Sequence, residues 1–479
     1  MEEGKKMALP NPIGLQSEVL YLPEKGHYVV LGAAGSGKTT LAILRAAYLA
    51  KAACNPGEKV LLVTFNKALV AYLKCISEGS LENVDVVNYH KFARGYLAYR
   101  GLLGKHDIIP AYSPRYFTKT DLIRRAYEIV KSEEKDNSTL ERPVEVFIEE
   151  INWIQKMGIT SLEEYEEAER TGRGSTRIIR KHRKYFFKVY TKYLELRKEY
   201  NRKYDLEDLA YYVREELCKD DTARMYKHII IDEGQDFSPT MFQSLSKAIP
   251  QDGSLTFFGD VAQQIYGSRI SWRSAGFINP KIWRFEQNYR NTKEIARLGL
   301  AISKMPYFKE DSDLIEPLFP RASGPLPALI KFKNEKEELD YFIEYVKDNY
   351  KTQTVAILVR DRDTVSHILS QLRFNGIRSQ ELRGDMGRWN PNPGVSVGTY
   401  HSAKGLEFDT VILPFCNKER LPAQEKILAL ESREEALSDE IKLIYVGVTR
   451  ARRGLFISYT GELTELLPTD KKLYQEFEL

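Results

Sequence analysis

Cysteine is scarce: four residues, Cys54, Cys75, Cys218 and Cys416, are spread over 479 positions with no C-x-x-C pair. That spacing argues against a disulfide framework or a cysteine-based zinc site and suits a reducing cytosol. No stretch approaches the roughly 18 apolar residues of a membrane span, and MEEGKKMALP has no apolar signal core. An excess of one charge is missing as well. The 71 basic and 67 acidic side chains leave +4, too little to point to a polyanionic partner unless the charges cluster. Internal repeats are absent, and the only low-complexity stretch, AQEKILALESREEALSDE, reads as a charged linker. Material for burial is ample, with 43% apolar and 11% aromatic residues. At this length one core is not enough, so two or more domains are expected in a soluble, cytoplasmic protein without a membrane partner.

Gly32 to Thr39 reads GAAGSGKT, a complete G-x-x-x-x-G-K-[ST] phosphate loop. The run HYVVLG before it reads as a buried strand, and TTLAILRAAYLA after it has helical spacing. In a strand–loop–helix context, Gly32, Gly35 and Gly37 let successive N–H groups face phosphates at the positive end of a helix. Lys38 is then expected at the β- and γ-phosphates, the Thr39 hydroxyl on Mg²⁺, and Thr40 beside them. Nearly two hundred residues later, HIIIDEGQD is an apolar run ending on acids. Asp232 is the candidate Mg²⁺ ligand and Glu233 the candidate general base for an attacking water. Together the two stretches describe an ATPase site with other machinery between them.

Further strings sharpen that reading. Gln16 lies in GLQSEVL, about 16 residues before the loop. Thr64, Phe65, Asn66 and Lys67 lie in VLLVTFNKAL, and Tyr89 and His90 in VVNYHKFA. Gly259, Asp260, Gln263 and Tyr266 lie in FFGDVAQQIYG, and Asn288, Tyr289 and Arg290 in FEQNYRNT. VGTYHSAKGLEF holds Thr399, His401, Lys404, Gly405 and Glu407, and IYVGVTRAR holds Tyr445, Thr449 and Arg450. A phosphoryl-transfer site needs positive charge beyond the loop lysine, and arginine supplies it without deprotonating. The ordered set, from Gln16 to Arg452, resembles the UvrD/Rep/PcrA branch of superfamily 1 helicases. The resemblance implies that Arg290 and Arg450 contact the γ-phosphate and Gln263 senses it. It implies further that Gln16 reads adenine, Tyr289 stacks on it and Glu407 binds the ribose. Thr64, Phe65, Asn66, Tyr89, His90, Tyr266, Thr399 and His401 are implied contacts to single-stranded nucleic acid, where aromatic stacking is tolerant of sequence. Two departures stand out: the TFNK string is one residue short of the family pattern, and Ser268 occupies the place of a base-stacking tryptophan. Either Trp272, six residues after Tyr266, is a displaced platform or the platform is missing.

The expected fold class is α/β: two RecA-like P-loop lobes, each a parallel sheet wrapped by helices, plus a helical insertion. The first lobe is placed at 1–93 and 217–280, the insertion (the family's 1B) at 94–216, and the second lobe at 281–479. Only about 35 residues separate Arg360 from Val395, so the family's 2B insertion is expected to be absent or vestigial. A basic run from Arg173 to Lys192 carries Arg177, Arg180, Lys181, Arg183, Lys184 and Lys188 among Tyr185, Phe186 and Phe187. It is either a phosphate-contacting face or a solvated helix face balanced by SLEEYEEAE. The leading expectation is an ATP- and Mg²⁺-dependent translocase or helicase on single-stranded DNA, or on duplex with a 3′ tail, with 3′-to-5′ direction implied by the resemblance alone. The competing one is a DNA-sensing regulatory ATPase that controls a partner nuclease, as compact UvrD-like proteins do in bacterial anti-phage systems. Phosphate and stacking contacts leave RNA open as substrate.

Overall fold

Short β-branched runs such as VVLG, VLLVT and IIID are apolar on both faces, as parallel strands must be when crossover helices cover both sides. The computed structural model describes residues 11–479 apart from 13, 34, 66, 78–80, 112, 114–115, 136, 171–177, 261–271, 274, 289, 309–321, 383–388 and 391. In it these runs form two all-parallel sheets. The first comprises β1 (Gly26–Gly32), β2 (Lys59–Thr64), β3 (Val84–Asn88), β4 (Tyr226–Asp232), β5 (Ser254–Gly259) and β6 (Lys281–Phe285), in the order β3-β2-β4-β5-β1-β6. The second comprises β7 (Ala328–Phe332), β8 (Thr354–Val359), β9 (Ser379–Glu381), β10 (Gly394–Thr399), β11 (Phe408–Leu413), β12 (Ala451–Thr460) and β13 (Gln475–Glu478), in the order β13-β7-β12-β11-β8-β10-β9. This is the two-lobed α/β architecture expected of paired RecA-like units.

Strand alternation sorts each sheet's side chains onto two faces. In the first sheet Val30, Leu62 and Ile230 join the apolar cluster under the helix Lys38–Ala52, whereas Val29, Leu31, Leu61, Val63, Ile229 and Ile231 join the cluster on the other face. The first of these clusters runs without a break into the second lobe, through Leu69, Ala403, Leu406, Leu413 and Val448. The lobes therefore share apolar core as well as a cleft.

Three boundaries differ from the sequence reading. β6 begins one residue past the expected end of the first lobe, yet it pairs with β1 from Tyr28↔Lys281 to Gly32↔Phe285. The expected insertion takes in the helix Leu209–Lys219 up to residue 216, yet Leu209 and Val213 lie with Leu217 in the first lobe's core. The stretch taken for a charged linker holds the helix Gln424–Leu430 and the start of the almost wholly buried helix Arg433–Thr449. Two of its acids, Glu435 and Glu440, are themselves buried, Glu440 against Arg360, which a one-dimensional charge count cannot register.

The insertion has its own core. Helices Lys119–Glu133, Val144–Met157 and Arg180–Glu199 enclose Leu122, Ile123, Phe147, Ile151, Phe186 and Tyr193. Phe147 and Phe186 stack with centroids 4.2 Å apart. The helix Val144–Met157 also packs along the helix Gln424–Leu430, and Arg142 pairs with Glu431, so the insertion is docked on the second lobe. β8 passes to β10 through the helix Arg362–Phe374 and β9.

Candidate active site

The phosphate loop is built as its glycines require. Gly35 and Gly37 hold φ of +80° and +81°, a region that costs other residues steric strain. A Cβ on Gly35 would lie 2.2 Å from Asn288 Oδ1 and 2.8 Å from Arg290 Cβ, so the FEQNYRNT segment is pressed against the loop. Gly32 is closed in by Ser36 and Lys38, which leaves no space for a side chain. Gln16 reaches the same loop and donates from Nε2 to the Ser36 carbonyl at 3.1 Å. Lys38 is buried and donates to the Gly32 and Ala33 carbonyls, both at 2.8 Å. Burial pulls its pKa down, while Asp260 and Glu233 pull the other way.

β4 delivers Asp232 and Glu233 opposite this loop. The Thr39 hydroxyl bonds to Asp232, and burial together with the negative charge of Glu233 raises the Asp232 carboxyl. Asp232 Oδ2 makes no hydrogen bond among the described residues. A buried carboxylate with one unmade acceptor, joined to a loop hydroxyl, fits a hard divalent cation with Thr39 and Asp232 as its protein ligands. Glu233 adopts φ of +54°, a strained conformation for a glutamate and one that aims it away from the β4 line. Burial alone would raise Glu233, but Lys404, Lys38 and Arg450 outweigh it and hold the group below its ordinary value. It is thus an ionised carboxylate, the form a base needs. Gln235 donates to Glu233, and its amide oxygen accepts from the Asp260 N–H at 3.1 Å. That bridge ties the two acidic strand ends together, and Gln235 was not assigned a role from the sequence.

The second lobe closes the site. Lys404 Nζ pairs with Asp236 at 2.7 Å, both buried, across the lobe boundary. Arg290 Nη2 pairs with Glu407 at 2.7 Å, and Arg452 approaches the same carboxylate at 3.7 Å. In this arrangement Glu407 holds Arg290. Arg450 is fully buried and donates to the Val446 and Leu406 carbonyls at 3.1 and 3.4 Å and to the Thr449 hydroxyl at 3.2 Å. Burial, reinforced by Arg290, lowers its pKa to about 10, so it stays cationic. A cleft of about 410 Å³ is lined by the loop from Gly35 to Thr40 with Tyr72, Glu233, Arg290, Gly405 and Glu407. Tyr72 is a wall of this cleft that the motif strings do not include, its ring edge-on to Trp389 at 5.6 Å. The expected contacts Asn66, Gln263, Tyr266 and Tyr289 lie outside the described residues.

Two family models match the chain: the UvrD/REP helicase N-terminal domain over residues 15–289 and the UvrD-like helicase C-terminal domain over 378–462. The chain belongs to the UvrD-like helicases. A probable DNA helicase of Mycoplasma pneumoniae is 24% identical over 462 residues, which cover 91% of this chain and 80% of the relative. A putative ATP-dependent DNA helicase of Bacillus subtilis, YjcD, is 25% identical over 440 residues, covering 86% of this chain and 54% of that protein. A stretch of 65 residues is 42% identical to DNA helicase II of Rickettsia typhi, covering 14% of this chain and 10% of that one. The inter-lobe cleft carries the residues that the resemblance to this family places around ATP. Among the described residues no helix is long and apolar enough to cross a membrane.

The residues expected to touch nucleic acid in this UvrD-like helicase divide. Tyr89 does not reach a surface: it is fully buried, and its hydroxyl bonds to that of Ser244 at 2.6 Å. Thr64 is fully buried at the end of β2, opposite Asp232, on the nucleotide side of the sheet. Phe65 and His90 are half-buried and meet in a T-shaped contact, with Phe65 also against Phe237. Phe237 follows Asp236, whose partner Lys404 comes three residues after His401. The strings of the two lobes that are expected to face nucleic acid therefore meet at this ion pair. Thr399 accepts from the Ser402 N–H at 3.2 Å, and His401 is driven down to about 3 by burial, then Arg360, Lys404 and Lys426. Trp272 packs edge-on to Phe257 and Phe277, centroids 5.0 and 5.4 Å away, which commits its ring to the first lobe's core. In the basic run, Arg183 is structural: it donates to the carbonyls of Tyr165, Glu166 and Ala168. Arg180, Lys181, Lys184 and Lys188 are exposed, and Lys188 is paired with Glu134.

Proposed function

We propose that this chain is a Mg²⁺-dependent ATP hydrolase that moves along single-stranded DNA in the 3′-to-5′ direction and unwinds duplex ahead of it. The observation that carries the reading is the composition of the cleft. The phosphate loop and base come from one lobe, Glu407 and Gly405 from the other, and Arg290 bridges them through Glu407. A nucleotide seated there would contact both lobes, so binding and hydrolysis would change how the lobes sit relative to each other.

In that reading Lys38 leaves the Gly32 and Ala33 carbonyls for the phosphates, while Arg290 and Arg450 offset charge on the transferring group. Thr39 and Asp232 would hold a Mg²⁺ ion, which would supply charge neutralisation on the phosphates. Glu233 takes the proton of the attacking water, and Gln235 keeps its carboxylate in place. Phe65 and His90 from the first lobe, with Thr399 and His401 from the second, form the strand-facing set, which accounts for why the lobes must move together for the strand to advance. Domain limits in this proposal are a first lobe through Phe285, an insertion built on residues 109–196, and a second lobe from the helix Lys293–Ser303 onward.

The test is steady-state ATP hydrolysis with and without single-stranded DNA, RNA or blunt duplex, alongside strand displacement on a 3′-tailed duplex. Stimulation by single-stranded DNA with tail-dependent unwinding is expected, and Lys38→Ala abolishes both. Stimulation without displacement refutes the motor and leaves a DNA-responsive ATPase that acts on a partner.

A further inference from the structure

Thr64 closes β2 in the string that the family resemblance assigns to nucleic acid, yet its surroundings belong to the nucleotide. It is fully buried, and the parallel register sets it directly beside Asp232. Alternation places Thr64 on the face of Val60 and Leu62, and Asp232 on the face of Ile230. All three apolar residues lie in the cluster packed under the phosphate-loop helix. Both side chains thus point to the side where Thr39 bonds to Asp232. Each also has an oxygen, Thr64 Oγ1 and Asp232 Oδ2, that makes no hydrogen bond among the described residues.

Two unmade bonds on adjacent strand ends need one explanation. A buried hydroxyl without a partner carries a desolvation cost, and a valine would fill the same space without it. Magnesium retains several waters when bound by one or two protein groups, and those waters need acceptors. We propose that the Thr64 hydroxyl accepts a hydrogen bond from a water on the Mg²⁺ carried by Thr39 and Asp232, so that Thr64 is a positioning residue for the metal. This rests on the ATP-site reading and deepens it. The next side chain in the strand direction points the opposite way, and Phe65 does pack with the cluster on the far face, against Phe237 and His90. Consecutive residues at the end of β2 therefore serve the metal and the strand-facing side, and a shift of that strand end moves both.

The test uses Thr64→Val, with Thr64→Ser and Thr64→Ala as a second pair that differs by the hydroxyl. Fluorescent ADP binding is titrated with Mg²⁺, and Mn²⁺ binding to the ADP complex is followed by electron paramagnetic resonance. Loss of a group that orients a metal's surroundings typically costs 10–100-fold in metal affinity, so Thr64→Val and Thr64→Ala are expected to need at least about tenfold more Mg²⁺. Thr64→Ser should behave as the unmodified chain. ADP affinity in EDTA and nucleotide-free affinity for single-stranded DNA should not move. An unchanged Mg²⁺ requirement in Thr64→Val, or an equal one in the serine and alanine variants, overturns the proposal, as does a selective loss of DNA affinity. If the unmodified chain shows no Mg²⁺-dependent ADP binding at all, the ATP-site reading itself has failed.

Discussion

Replacing Lys404 by methionine removes a buried cation that serves two carboxylates at once. It pairs with Asp236 at 2.7 Å, and after burial it is the largest influence on Glu233, which it lowers. An opposite charge within about 4–6 Å lowers a carboxyl by roughly 1–3 units, each worth about 1.36 kcal/mol. Without Lys404 the base therefore holds its proton to higher pH, and the acid limb of ATP hydrolysis should move up by about one unit or more. Asp236→Asn breaks the same pair but keeps the cation, so its acid limb should stay in place or fall. Both variants should lose stability, because severing a buried pair costs about 3–5 kcal/mol when the remaining charge cannot be neutralised. In Lys404→Met the remaining group can neutralise itself. Burial already raises Asp236, and losing its main counter-charge raises it further. The folded state then binds that proton more tightly than the unfolded chain. Stability is greatest below the ordinary value of 3.8 and falls as pH rises through the elevated folded value. The measurements are rate–pH profiles with saturating single-stranded DNA from pH 5 to 9, and urea unfolding across the same range. An acid limb unmoved in Lys404→Met, or moved equally in both variants, would refute the assignment of Lys404 to the base and reduce it to a lobe clasp.

Tyr89→Phe deletes one buried hydroxyl bond to Ser244 and should cost about 1 kcal/mol in a denaturant titration. DNA affinity should be untouched, whereas Phe65→Ala should weaken single-strand binding by about 1–3 kcal/mol in an anisotropy titration if that ring meets a base. Gly35→Ala puts a methyl group into Asn288 and Arg290 at a left-handed position, and ATP affinity measured by calorimetry should fall at least tenfold. Arg142→Ala removes the pairing to Glu431 between the insertion and the second lobe, and limited proteolysis within 137–143 should become faster without loss of ATP binding.

The motif strings made the nucleotide half of the site legible because phosphate chemistry constrains sequence locally. A loop that presents backbone N–H groups needs glycines at Gly35 and Gly37, and a strand that delivers acids to a cation must end on Asp232 and Glu233. Helical periodicity likewise marked the insertion, whose core residues recur along each helix. The charged stretch at 423–440 misled for a related reason. Composition counts acids but not where folding puts them: the helix Arg433–Thr449 buries Ile441, Ile444 and Val448 and also Glu440, which pairs with Arg360, while Asp439 pairs with Lys426.

What the chain order could not reveal was which side of a sheet a strand-end residue faces and what lies across from it. Thr64 and Tyr89 sit in strings associated with nucleic acid, but sheet register carries Thr64 to Asp232, and helix packing carries Tyr89 into the core. Tyr72 and Gln235 entered the site only through folding, since neither residue type nor spacing distinguishes them from ordinary helix and loop positions. The pairs Lys404–Asp236 and Arg290–Glu407 join residues more than one hundred positions apart. Sequence by itself determined that a phosphate-loop motif, a candidate base and candidate cationic partners exist. Only the tertiary structure decided which of them meet, because hydrogen-bond and ion-pair energies depend on distances of a few ångströms that no spacing along the chain encodes.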